Sequence, residues 1–175
     1  MNGLCDLLSQ IGSKLEFGVR AEVQASESAY VDLVWFDKRL PLPIEKKSFN
    51  MRYEPFLPVV GFEIELHTGL NAKHVKGSVS NLSNLGAQLG VIVIGKDNLT
   101  QLAKTRPKET EPQLKQTLRD RVYRWVYAEA QPEVRIVVMF EDEVLAWGKR
   151  VGIEPVKEIL SASPQPVSAL QSVPV

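Results

Sequence analysis

The chain has 175 residues, 44% of them hydrophobic and 24% charged, with Lys+Arg and Asp+Glu equal at 21 each. That length suits one domain with a sizeable core and is too short for two ordinary ones. The balanced charge counts against a strong non-specific nucleic-acid binder, and the single cysteine and two histidines argue against a disulfide or a structural zinc site.

Taken in chain order, Leu4, Leu7, Leu8, Ile11 and Leu15 recur at helical spacing and predict an amphipathic first helix, with Cys5 a buried, inert thiol on it. A strand over Phe17 to Val23 follows, then a polar turn over Gln24 to Ser28 and a second strand over Tyr30 to Phe36. Asp37 to Pro58 contains Pro41, Pro43, Pro55 and Pro58, and reads as an extended loop with one short strand around Phe49 to Tyr53. A third strand spans Val59 to Leu66. Thr68-Gly69-Leu70-Asn71 turns the chain into a helix over Lys73 to Leu85, whose apolar stripe is Val75, Val79 and Leu82. Leu89 to Ile94 is a continuous apolar run rich in β-branched residues, as in a strand covered on both faces. Strand, helix and strand in that order predict a parallel crossover.

A short helix over Asn98 to Lys104 comes next. Thr110 and Gln113 have capping-box spacing before a longer helix marked by Leu114, Leu118, Val122, Trp125 and Val126. Its basic residues Lys115, Arg119, Arg121 and Arg124 read as a solvated side. Val134 to Phe140 predicts another buried strand, and Glu141 to Lys149 a last helix ending at Gly152. The Ser/Pro/Gln-rich tail, residues 161–175, lacks periodicity and is expected to be disordered. The fold class is α/β, a mixed central sheet flanked by helices, in one domain over residues 1–160. No apolar run has membrane-spanning length and no signal peptide opens the chain, so a cytoplasmic protein without membrane contact is expected.

The chemistry-bearing residues lie on the second and third strands. In Val60-Gly61-Phe62-Glu63-Ile64-Glu65-Leu66, alternation puts Glu63 and Glu65 on one face and Phe62, Ile64 and Leu66 on the other. Asp32 interrupts an apolar strand, where an ionised carboxylate is costly unless a partner or metal compensates it. Side by side, the strands would bring three carboxylates to one point, an oxygen-only set suited to a hard cation such as Mg²⁺.

An Asp on one strand, a spacer, Glu-x-(Lys or Glu) on the next and then a helix resembles the PD-(D/E)XK nuclease superfamily, over roughly Leu4 to Gly95. Two positions depart from the pattern: Glu65 stands where Lys is usual, and Val31 where proline precedes the Asp. The resemblance implies a restriction-endonuclease-like fold and a DNA endonuclease using Mg²⁺ or Mn²⁺, compatible with a homodimer. Asp32, Glu63 and the backbone carbonyl of Ile64 would hold the metal. Glu65 would act as base or second-metal ligand. Lys76, on the following helix, would replace the absent motif Lys, and Glu16 would match a helix-borne acidic residue. Lys38, Arg39, Lys46, Lys47 and Arg52, interleaved with Phe49, Tyr53 and Phe56, are the candidates for DNA contact.

Each feature has a plainer alternative. Glu63 and Glu65 also fit the solvated face of a half-exposed strand, Lys73 and Lys76 a solvated helix, Glu16 an ordinary charge at a helix end, and the basic loop a surface cover. His74 reads as a surface residue. At the level of function the alternatives are a catalytically inactive module of the same fold, for nucleic-acid binding or assembly, and an interaction protein whose carboxylates cluster by chance.

Overall fold

Five helices flank a five-stranded mixed sheet in the computed structural model, which describes residues 3–39, 57–128 and 134–153. The strand expected around Phe49 to Tyr53 and the tail from Ser161 lie outside the described residues. Leu4, Leu7, Leu8 and Ile11 are buried by helix α1 (Gly3–Lys14), as their spacing requires. Leu15, expected to extend the stripe, falls past the helix end and is 41% exposed. Glu16, with a positive φ of 66°, turns the chain into strand β1 (Gly18–Ser26), which pairs with β2 (Ala29–Phe36). The turn is shorter than the polar run Gln24 to Ser28 suggests. Ala25 is fully buried, which holds β1 in the sheet through Ser26 and leaves Glu27 and Ser28 to connect the strands.

The remaining elements are β3 (Pro58–Glu65), α2 (Ala72–Leu85), β4 (Leu89–Ile94), α3 (Lys96–Thr105), α4 (Glu111–Val126), β5 (Arg135–Phe140) and α5 (Glu141–Arg150). Spatial order follows chain order: β1, β2 and β3 are antiparallel, while β3, β4 and β5 are parallel. The β3–α2–β4 unit is therefore the expected parallel crossover. Interior strand β4 has both faces covered, which accounts for its unbroken run of apolar residues. β5 is instead an edge strand, with alternating burial and Val137 37% exposed. The apolar sequence of β5 reflects partial cover at an edge; it is not a doubly buried strand.

Two apolar layers enclose the sheet. On one side, Val75 and Leu82 of α2, Leu102 of α3 and Leu114, Leu118, Val122 and Val126 of α4 pack over Ile92, Ile94 and Val138. On the other, α1 and Val144 of α5 pack over Leu33, Trp35, Phe62, Val91 and Val93. The β1–β2 hairpin serves both layers. Val19, Ala21, Leu33 and Trp35 belong to the α1 side, whereas Val23, Ala25 and Val31 belong to the α2 side. A regular strand would keep these odd-numbered residues on one face. Glu22 has φ 50°, and this local kink adds twist, so the far half of the hairpin wraps over α2.

Lys115 and Arg119 are not the solvated side of α4. Lys115 binds Asp142 at 2.6 Å and Glu111 at 2.9 Å, Arg119 binds Glu143 at 2.8 Å, and both lie over the Phe140 ring. Together they tether the acidic first turn of α5 to α4. The capping spacing of Thr110 and Gln113 is realised by a 2.8 Å hydrogen bond from the Thr110 N–H to the Gln113 amide oxygen.

Gly95 closes the sheet beside the end of β3. Its N–H donates to the Glu65 carbonyl at 3.0 Å, and a Cβ at this position would stand 2.9 Å from Leu66 Cα and 3.1 Å from its carbonyl oxygen. Because those atoms are backbone, relief requires moving the strand end. Gly95→Ala is expected to destabilise the protein by about 1–3 kcal/mol. Urea unfolding checks this, and an unchanged midpoint would show that the β3 end yields freely.

Candidate functional site

β2 and β3 part company at Asp32. Their ladder runs from Phe36↔Pro58 to Leu33↔Phe62 and stops. Beyond it, β2 continues against β1, and Glu63, Ile64 and Glu65 continue against β4. The strands form a fork with Asp32 on one arm and the two glutamates on the other. Asp32 Oδ2 accepts the Ile64 N–H at 2.7 Å, replacing the ladder bond that β2 no longer offers. In a strand the N–H and C=O of one residue point to the same side, so the Ile64 carbonyl also faces the fork.

Helix α2 covers the fork with a polar track. Asn71 caps the helix, its side-chain oxygen accepting from the N–H groups of Lys73 at 3.0 Å and His74 at 3.3 Å; Gly86, with φ 71°, ends it. His74, Ser78 and Asn81 are spaced by four and three residues, so they share one face. Ser78 Oγ donates to Glu65 Oε1 at 2.6 Å, and Asn81 Nδ2 donates to Glu63 Oε1 at 3.0 Å. Ser78 is buried while Val79, expected in the apolar stripe, is only half-buried. The strand that carries Glu-x-Glu thus selects a polar face of α2 beside the apolar one.

The carboxylates are buried, and they repel. Glu63 is 7% and Glu65 9% exposed, which excludes the solvated strand face considered above. Burial pushes Glu63 from 4.5 up to about 8; the Asn81 hydrogen bond opposes this, and the charges of Asp32 and Glu65 add to it. Burial also raises Asp32, against the pull of the Ile64 N–H and with repulsion from Glu65 and Glu22. Each of Asp32 and Glu63 keeps one oxygen not used in these hydrogen bonds. These oxygens and the Ile64 carbonyl are donors of the kind a hard divalent cation takes. Among the described residues, however, Asp32, Glu63 and Glu65 do not form a set whose ligand atoms all lie within 4.8 Å of one another, so the expected convergence of the three carboxylates on one point is not realised.

A second grouping lies at the C-terminal end of β3. Among the described residues, the set of three metal-ligating side chains whose ligand atoms lie within 4.8 Å of one another is Glu65, His67 and His74. His67 Nε2 is 3.1 Å from His74 Nδ1 and 3.5 Å from Glu65 Oε2. His74 is half-buried against these partners, not a free surface residue. The loop holding His67 is tied to α3 by buried Asn98, whose amide donates to the His67 carbonyl at 2.9 Å and accepts the Leu70 N–H at 3.2 Å.

Other sequence candidates fall elsewhere. Lys76 is half-buried, but it leaves α2 about 200° round from His74, on the side away from the polar track that meets Glu63 and Glu65. The helix phase therefore does not carry it to the carboxylates. Glu16 is exposed just before β1, where its charge acts on Arg39, whereas the β1 carboxylate whose charge acts on Asp32 is Glu22, in the middle of the strand. Lys38 and Arg39 are exposed; the Arg39 guanidinium bonds Asp37 at 2.8 and 2.9 Å and holds that carboxylate down at about 2. Lys46, Lys47 and Arg52 lie outside the described residues. The buried Cys5 thiol is pushed up to about 11 by burial and by the Asp32 charge, and is no nucleophile at neutral pH.

His67, Ser78, Asn81 and Asn98 were not singled out from sequence. The one legible signal was the polar spacing of His74, Ser78 and Asn81, which runs alongside Val75 and Leu82. No family model, no curated protein and no solved structure matches the chain. No helix among the described residues is long and apolar enough to cross a membrane.

Proposed function

We propose that the chain is a metal-dependent DNA endonuclease of the PD-(D/E)XK, restriction-endonuclease-like type. The observation that carries this reading is the fork: Asp32 and Glu63 flank the point where β2 and β3 separate, and α2 follows directly. Helix, three antiparallel strands, helix and parallel strand, in that order, agree with it. Asp32, Glu63 and the Ile64 carbonyl would hold Mg²⁺ or Mn²⁺. Such an ion lowers the pKa of a bound water and offsets charge on the phosphate and its leaving oxygen.

The protein's own groups have separable tasks. The Ile64 N–H fixes the Asp32 carboxylate, and Asn81 fixes that of Glu63, so each presents its remaining oxygen in a set direction. Glu63 holds a proton near neutrality in the metal-free protein, and a cation would displace it. Glu65, held by Ser78, is the carboxylate next to that point and the candidate to orient water.

The test is a cleavage screen with Mg²⁺ and Mn²⁺ on duplex, branched and single-stranded DNA, with chelator controls. Cleavage that depends on the cation is expected, and absence of cleavage on all three forms would reject the enzyme. A second reading, an inactive DNA-binding or assembly module of the same type, is favoured by the hydrogen-bonded, proton-holding state of Glu63 and by the balanced charge. It predicts DNA binding without cleavage.

A further inference from the structure

The geometry points to a three-ligand site for a borderline transition ion of the Zn²⁺ or Co²⁺ class, built from Glu65 Oε2, His67 Nε2 and His74 Nδ1. These include both histidines of the chain. The argument is one of spacing. A tetrahedral ion with ligand bonds of about 2.0 Å separates its ligand atoms by about 3.3 Å. Two of the three edges are 3.1 Å between the imidazole nitrogens and 3.5 Å between His67 and the carboxylate. All three ligand atoms lie within 4.8 Å of one another, close enough for one ion to draw them together, and two nitrogens with one oxygen suit a borderline ion better than Mg²⁺.

The surrounding contacts orient each ligand before an ion arrives. Ser78 occupies Glu65 Oε1 at 2.6 Å, which leaves Oε2 turned toward His67. Asn98 clamps the His67 carbonyl and Asn71 the His74 N–H. Outer contacts of this kind raise metal affinity by fixing ligand direction. The His67 side chain is 54% exposed, so the triangle is open to solvent on one side. That leaves the fourth position for water or for an oxygen of an anionic ligand such as a phosphate. A four-ligand structural zinc site would need more histidine or cysteine than this chain has; a three-ligand site does not.

The site shares Glu65 with the fork, yet its existence does not depend on DNA cleavage. The experiment therefore uses no DNA. Full-length protein without an affinity tag is titrated with Co²⁺, followed by its visible absorption and then by displacement with Zn²⁺. One Co²⁺ per chain with the intense bands of four-coordination is expected, displaced by Zn²⁺. His67→Gln and His74→Gln should each weaken binding by at least about tenfold, and the double variant should abolish the bands. Metal-free melting curves, run in parallel, separate loss of a ligand from loss of the fold. Absence of the bands in wild type, or equal Co²⁺ affinity in the double variant, would overturn the assignment.

Discussion

On the proposed endonuclease reading, Asp32→Asn and Glu63→Gln are each expected to lower cation-dependent DNA cleavage by about 10²–10³-fold or more, because each would remove a metal ligand and weaken water activation and charge stabilisation together. The amide variants are the informative ones. Asp32 accepts the Ile64 N–H at 2.7 Å, and an alanine would leave that donor without its partner, at a cost of about 1–3 kcal/mol if it stays dry. Asparagine keeps an acceptor there and removes the charge. Glutamine likewise keeps an oxygen for the Asn81 amide, 3.0 Å away in the native chain. A fall in rate with a melting temperature no lower than that of wild type in chelator would therefore report chemistry and not folding. Rates are compared at saturating Mg²⁺ on the best substrate of the cleavage screen. Wild-type rates in either variant would remove the fork from the reaction.

The elements of this fold were legible wherever burial follows local periodicity. The α1 stripe, the apolar run of β4 and the Leu114-Leu118-Val122 row of α4 each face what their spacing demands. What escaped depends on partners distant in the chain. Lys115 and Arg119 look solvated until Asp142 and Glu143 arrive from α5, more than twenty residues on. The β1–β2 hairpin changes face at a kink at Glu22, where no glycine announces a positive φ. Alternation places Glu63 and Glu65 on one face but cannot say whether that face meets water or a helix, so their burial is not legible locally. Nothing local couples His67 to His74 either. Seven residues and a turn separate them, and the cap at Asn71 sets the helix phase that brings the rings to a centroid distance of 4.7 Å.

Stability of the metal-free protein is expected to fall as pH rises from about 4.5 to about 8, with Glu63 the main cause. Its folded-state pKa is raised from 4.5 to about 8, so across that window the native state keeps a proton that the unfolded chain has released. Unfolding then releases a proton, and rising pH favours it. The contribution of protonated Glu63 is fully present below the unfolded value and is lost by the time pH passes the folded one. Its size is on the order of 4 kcal/mol for a carboxyl this buried. Asp32, raised from 3.8 by burial, acts in the same direction. Glu63→Gln carries no titrating proton yet still accepts from Asn81, so its melting temperature should vary less with pH and exceed that of wild type above pH 8. Saturating Mg²⁺ should reverse the order at high pH if the ion binds the ionised fork, since a ligand of the native state alone raises its stability. The measurement is a set of thermal melts from pH 4 to 9, in chelator and then in Mg²⁺. Parallel pH profiles for wild type and Glu63→Gln in chelator would mean that Glu63 is ionised in the native state near neutrality, compensated by hydrogen bonds and not by a proton.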